Sequence, residues 1–279
     1  MQAVSKPVSP PIVLTFAASD PSGGAGMQAD LMTLSALGCH ALSVLTALTA
    51  QDTAGIDGVL SIAPEWVDRQ ARVLLADIAV DVFKIGLLGS RENVEVVAQI
   101  MTDYPDVPVV FDPVLASGRG DALADAEMIA AMRESLLPRT TLLTPNSLEA
   151  RRLADDGRSA QNLPLAECAR RLLALGCSQV LLTGTHEDTP QVVNALYDSA
   201  GLVRSDRWSR LPGSYHGSGC TIASAVAAFL AHGLSLSEAV GQAQDYTWHA
   251  LAAGFLPGRG QYIPDRFYRT KPGTGKDHG

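Results

Sequence analysis

The 279-residue chain is predicted to be an α/β protein built on a doubly wound, mostly parallel sheet with helices on both faces. Three observations predict this. Apolar runs of strand length recur along the chain and are mostly continuous rather than alternating, as parallel strands buried on both faces require. Segments of helical period separate them. Loops rich in glycine, aspartate and asparagine follow the runs, at the carboxyl ends of strands where open α/β sheets bind ligands.

In order, the strand-like runs are IVLTFAA (12–18), ALSVLTALTA (41–50), VDVFKIGLL (80–88), VPVVFD (107–112), TTLLTP (140–145) and QVLLTG (179–184). Helices are expected over 25–37, 64–76, 90–102, 124–136, 147–155 and 164–175. VVNALYDSAGLVRSDRW, near 192–208, breaks the rhythm. Its DSAG turn between apolar runs reads as an antiparallel hairpin, a small edge or lid element. Two further helices are expected over 218–232 and 236–253. MQAVSKPVSPP (1–11) is proline-rich, lacks an apolar signal segment and is expected to be a disordered leader. Residues 12–256 read as one domain, without a dividing linker or internal repeat. Residues 257–279 read as a polar, flexible tail.

Composition narrows the function classes. With 47% hydrophobic residues the chain can bury a large core. No apolar stretch reaches 18 residues, so no membrane partner is expected. A formal net charge of −8 argues against a nucleic-acid partner, which would select a basic face. Cys39, Cys168, Cys177 and Cys220 form no C-x-x-C pair, so neither a zinc cage nor a disulfide framework is indicated, and a reducing cytoplasm is expected. The six histidines include no H-E-x-x-H pair; His40, His232 and His249 read as structural.

Three loops could carry chemistry, each with a plainer alternative. GAGMQA (24–29) formally fits the G-x-G-x-x-A dinucleotide pattern. Residues 19–23 separate it from the strand, however, so the match is weak, and the plainer alternative is a turn into a helix. HGSGCT (216–221) sets free amides at 217–220 ahead of an alanine-rich helix, the layout of an anion site. The alternative there is a helix capped by Ser218, with glycines for close packing. TPNSLEARRL (144–153) places Asn146 and Glu149 at a helix start, either as capping residues or as outer partners of a hydrated Mg²⁺.

Taken together and in order, ASDPSGGAGMQADLMTLSALG, LTAQDTAG, KIGLLGS, DPVLASGRGD, TPNSLEA and GSGCTIASAVAAFLA resemble the bacterial hydroxymethylpyrimidine/phosphomethylpyrimidine kinases, members of the ribokinase-like superfamily. The resemblance runs over about residues 12–254 and implies a ribokinase-like fold, ATP and Mg²⁺ as cofactors, a small pyrimidine substrate and a homodimer. It implies pyrimidine contacts from Asp30 and Gln51, with Ala18 and Leu87 beside the substrate. Asn146, Glu149, Thr183, Gly184 and Asp112 would serve the nucleotide, Asp112 and Glu149 meeting the metal through water. Gly217, Ser218, Gly219 and Cys220 would form the anion hole. Cys220 would stand where sugar kinases of the superfamily carry an aspartate base. At a helix N-terminus its thiol pKa is expected to fall, allowing it to take the substrate's proton.

The chain departs from the family pattern in places. Ala18 replaces a common glycine, Leu87 a common methionine, and ASGRG (116–120) a lysine-bearing loop, with Arg119 as the candidate substitute for second-phosphate recognition. A pyridoxal kinase of the same fold and a dinucleotide-binding oxidoreductase are the rival readings.

Overall fold

The computed structural model describes residues 9–117, 120–155 and 163–270. Arg119 lies outside them. The chain runs β1 (Ile12–Ser19), α1 (Gly26–Ala36), β2 (His40–Gln51), β3 (Ile56–Ser61), α2 (Pro64–Leu75), β4 (Val82–Ile85), α3 (Arg91–Asp103), β5 (Val109–Phe111) and α4 (Ala126–Ala131). It continues β6 (Leu142–Leu143), α5 (Ser147–Ala154), α6 (Leu165–Ala174), β7 (Gln179–Leu182), β8 (Gln191–Asp198), β9 (Gly201–Ser209), α7 (Ser218–Ala231) and α8 (Leu236–Ala252). The nine strands form one sheet in the order β3-β2-β1-β4-β5-β6-β7-β8-β9. The six strands from β2 to β7 are parallel. The ends, β3 on one side and β8 with β9 on the other, are antiparallel.

The continuous apolar runs have a simple cause. Successive strand residues point to opposite faces, and both faces are covered. Leu14, Phe16, Phe83, Ile85, Phe111 and Leu143 enter a core shared with α2 to α6. Their neighbours Val13, Val82, Val110 and Leu142 enter a second core under α1, α7 and α8. Helix starts follow the polar residues that precede them: Ser90 caps α3, Asp125 caps α4, and Ser235 forms a capping box with Glu238 on α8.

One strand was missed and one expectation is corrected. β3 was not legible as a strand: it is an edge strand with four consecutive exposed residues. Residues 257–270 are not a loose tail. Gly260 and Gln261 bond to Thr53, Tyr262 bonds to Ser214, Ile263 pairs with Phe255, and Asp265 and Arg266 are buried. Main-chain hydrogen bonds rather than an apolar pattern hold this segment, so hydropathy does not reveal it.

Candidate active site

Strand order reverses between β1 and β4, since β2 lies on one side of β1 and β4 on the other. A crevice is expected outside the carboxyl ends of the strands at such a point. A cavity of about 640 Å³ lies there. Its walls follow the sheet: Gln51 ends β2, Ala18 lies near the end of β1, and Leu87 follows β4. Asp112 follows β5, Asn146 and Glu149 follow β6, Thr183 follows β7, and Trp208 lies on β9. Gly217, Ser218, Gly219 and Cys220, at the start of α7, also line the cavity.

The two glycine loops meet one another. Asp20 accepts hydrogen bonds from the Ser22 and Ala25 amides at 2.8 and 2.7 Å, and its carboxylate lies 2.9 Å from His216 Nε2. Burial alone would raise the Asp20 pKa. The hydrogen bonds from His216, Ser22 and Ala25 outweigh it and hold the carboxyl below its ordinary value. The chain passes so tightly that a Cβ on Gly24 would come within 2.3 Å of the His216 ring. Gly217 has φ +77° and caps α7 through its backbone alone. A Cβ there would meet the Gly24 carbonyl oxygen at 1.9 Å. The alternative Ser218 cap is therefore not formed; Ser218 is the first helical residue. The first loop is packed against the second and does not stand open as a dinucleotide cradle. Residues 217–220 at the start of α7 line the cavity, at the positive end of the helix dipole.

Asp30, expected to touch substrate, does not line the cavity. It is wholly buried. Its oxygens accept from Thr15 Oγ1 at 2.7 Å, Ser224 Oγ at 2.7 Å and Lys84 Nζ at 2.9 Å. Lys84 is also buried, and it reaches the cavity floor. Burial would lower its pKa, but the negative charge of Asp30 above all, with Asp112 adding, raises it instead. A buried ion pair is thus fixed beneath the site, with its ammonium at the cavity floor.

Above it sit two carboxyls and a thiol. Burial lifts Asp112 to about 6, with Lys84 opposing, Asp30 adding and a hydrogen bond from Cys220 lowering. Burial and the charge of Asp112 lift Glu149 to about 8, against hydrogen bonds from the amides of Asn146 and Leu115. Asn146 and Glu149 do form a capping box: Asn146 Oδ1 accepts from the Leu148 and Glu149 amides, and Glu149 Oε2 accepts from the Asn146 amide at 2.9 Å. Both residues line the cavity as well, so the capping and ligand-facing roles coexist. Asp112 Oδ2 is buried without a hydrogen-bond partner. An orphaned carboxylate oxygen beside a second crowded carboxyl suits a hydrated divalent cation, which takes few protein carboxylates. Among the described residues no three metal-ligating side chains cluster.

Cys220 opens on the cavity, half-buried. The expected fall of its pKa is not found. Burial pushes the thiol up to about 12; Lys84 pulls it down, while Asp112 and Asp30 push it further up. Helix-dipole reasoning saw the amides but not the two carboxylates.

On the far side, Thr183 lines the cavity and pairs with Asn146 across an isolated bridge. Gly184 does not line it. Its amide donates to Asn194 Oδ1 at 3.1 Å, and a Cβ there would lie 2.2 Å from the Val193 carbonyl oxygen, so it serves close packing below the wall. Asp20, His216 and Lys84 were missed by sequence reasoning. The only signal was their position inside SDPSGGAG, YHGSGC and KIGLL.

A mixed sheet carrying a helix-start anion cradle and paired acidic residues at its switch point defines a ribokinase-like phosphotransferase. Residues 20–265 match the phosphomethylpyrimidine kinase family model, and the chain belongs to that family. It is 42% identical over 264 residues to a hydroxymethylpyrimidine/phosphomethylpyrimidine kinase of Streptomyces coelicolor, covering 93% of this chain and 96% of that one. The Escherichia coli enzyme of the same name is 39% identical, over 86% of this chain and 90% of that one. Against the thiamine biosynthesis bifunctional protein ThiED of Geobacter sulfurreducens, 42% identical over 89% of this chain, the chain spans half the length of the relative. Among solved structures, Bacillus subtilis pyridoxal kinase in an ADP complex superposes with a TM-score of 0.84 at 29% identity, covering 94% of this chain and all of that one. Clostridium difficile phosphomethylpyrimidine kinase gives 0.73 at 32% identity, over 85% and 97%.

Proposed function

We propose that the chain transfers phosphate from ATP to 4-amino-5-hydroxymethyl-2-methylpyrimidine, and then to the monophosphate to give the diphosphate, in thiamine biosynthesis. One observation carries the reading: a single cavity sets an unengaged amide, an anion cradle and two carboxyls in a row along the strand ends. Among the described residues the Gln51 side-chain amide has no protein partner, and it faces the cavity with Ala18 and Leu87. A side-chain amide can both donate to and accept from a pyrimidine ring edge. The acceptor therefore occupies the β2-β1-β4 end and the nucleotide the β6 to β9 end, near Asn146 and Thr183. The phosphoryl group passes between them, under the amides of 217–220. Incubation with Mg-ATP and the alcohol, followed by phosphorus NMR, is expected to show the monophosphate and then the diphosphate; absence of both would overturn the reading.

Gln51→Ala is expected to raise the pyrimidine KM about tenfold, the cost of one unpaired buried polar group, with the ATP KM unchanged. Steady-state kinetics with each substrate varied in turn checks this. A rise confined to ATP would move Gln51 to the other end of the cavity.

Mg²⁺ would be held by Asp112 and by Glu149 through water, because the Glu149 oxygens already accept backbone amides. When bound, it would supply charge neutralisation on the nucleotide phosphates. The chain's own groups handle the proton. At pH 7 Cys220 is a thiol, because burial and the nearby Asp112 and Asp30 carboxylates push its pKa up to about 12. It acts as a relay, taking the proton of the substrate hydroxyl as its own proton passes to solvent in the cavity. The loose transition state lets this happen late. The second transfer needs no relay, since its nucleophile is a phosphate oxygen.

Cys220→Ala is therefore expected to slow the first transfer about 10²-fold, the low end for proton-transfer catalysis, and the second clearly less. Cys220→Ser, which keeps a proton-relaying hydroxyl, retains most of the activity. Equal rates for wild type and Cys220→Ala with the alcohol would remove the thiol from the mechanism.

A cytoplasmic homodimer completes the proposal. Supporting it, three of the four free cysteines are buried, no helix among the described residues is long and apolar enough to cross a membrane, and the β2-β3 edge exposes Leu48, Val59 and Leu60.

A further inference from the structure

Arg266 is 3% exposed, and among the described residues it makes no ion pair. A buried guanidinium without a carboxylate partner is costly, so its surroundings deserve a physical account. Its donors go to the backbone of the first glycine loop and to the start of α7. Nη2 meets the Gly24 carbonyl at 2.5 Å, Nη1 the Gly23 carbonyl at 3.4 Å, and Nε the Thr221 hydroxyl at 3.2 Å. Thr221 in turn donates its hydroxyl to the Gly217 carbonyl at 2.7 Å. The Gly24 carbonyl is the group against which Gly217 is pressed. One side chain thus ties together both loops of the anion cradle. It also draws two carbonyl oxygens toward itself and leaves a net positive charge behind a site that must receive phosphate. The Tyr246 hydroxyl fixes it from the other side by donating to the Arg266 carbonyl at 2.7 Å.

We propose that Arg266 is a positioning residue that makes the cradle selective for a phosphorylated acceptor: it holds the 23–24 and 217–221 segments in register and supplies the positive charge behind them. The site needs such a charge. Asp112 and Glu149 line it, the exposed Arg210 at its rim spends its donors on the carbonyls of Thr185, Glu187 and Thr189, and Lys84 is neutralised by Asp30. Arg266 is a buried cation behind the cradle whose donors all go to carbonyls and a hydroxyl, while the Asp20 and Asp30 carboxylates act on it only through space. Charge behind oriented amides acts strongly on a phosphate and weakly on a neutral alcohol. This assignment rests on the proposed pyrimidine substrates.

The test is calorimetric titration without ATP, using the pyrimidine alcohol and its monophosphate as probes. Wild-type protein that binds neither probe would contradict the substrate reading itself, independently of Arg266. With wild-type binding established, Arg266→Met is expected to weaken the monophosphate at least tenfold while leaving the alcohol within about twofold. Arg266→Lys, which keeps the charge, should recover most of the loss. Arg266→Gln keeps a donor for the Gly24 carbonyl and should show the same selective loss, which decides the matter if the methionine variant does not fold. Equal weakening of both probes, the result of a merely structural role, or no change in either, would overturn the proposal.

Discussion

Asp30→Asn is expected to cost about 3–5 kcal/mol of folding stability, the range for breaking a buried ion pair by removing one partner. The substitution leaves the Lys84 ammonium buried with its counter-charge gone, and it disturbs hydrogen bonds from Thr15 and Ser224 as well. Equilibrium urea unfolding measures the loss. Replacing Asp30 and Lys84 together by apolar residues of similar volume should recover much of it, because the desolvation cost of both charges disappears. That double variant should still be slow, since the Lys84 ammonium at the cavity floor, beneath Cys220 and Asp112, is gone with it. A residue that merely touched substrate would behave oppositely: Asp30→Asn would raise the pyrimidine KM and leave the unfolding midpoint in place. A loss below about 1 kcal/mol would show that the Asp30–Lys84 pair is not the keystone of the cavity floor.

Gly217→Ala is expected to lower kcat by about 10²–10³-fold, comparable to losing an oxyanion-hole donor. Two effects coincide at this position. The left-handed backbone at φ +77° disfavours any side chain, and the new Cβ would sit 1.9 Å from the Gly24 carbonyl oxygen. That oxygen cannot easily retreat, because Arg266 holds it. The loops must part, and the amides of Ser218, Gly219 and Cys220 lose their common focus. Pyrimidine binding at Gln51, on the other end of the cavity, should survive. Kinetics together with circular dichroism distinguishes this outcome from unfolding. An unchanged kcat would mean that the amides at 217–220 do not stabilise the transferred group.

The parallel sheet and all eight helices were legible because both faces of the strands are covered, which writes continuous apolar runs into β1, β4 and β5. β3 was not, because an exposed edge strand needs no such run. The glycine turn into α7 was legible, but the sequence offered an anion site and close packing for it alike, and the fold shows close packing at Gly217 beside a cavity-lining helix start. The fate of Asp30 was not legible. Its partners Lys84 and Ser224 lie 54 and 194 residues away, and nothing local marks a carboxylate that is to be buried. The Asp20–His216 contact spans 196 residues for the same reason. The thiol of Cys220 shows the limit most clearly. The helix start that should lower its pKa is visible in sequence, whereas the burial and the neighbouring Asp112 that raise it are products of the fold. Arg266 was assigned to a flexible tail because a segment held by backbone hydrogen bonds and one buried guanidinium carries no apolar signature.

The central claim is the acceptor, and a coupled ADP-formation assay with Mg-ATP tests it most directly when the pyrimidine alcohol, its monophosphate and pyridoxal are offered side by side to the same preparation. The cavity predicts ADP formation with both pyrimidines, and a kcat/KM for the alcohol at least about tenfold above that for pyridoxal, the worth of one well-placed hydrogen bond at Gln51. Turnover of pyridoxal in preference to the pyrimidines, or no ADP with any of the three from folded protein, would contradict it.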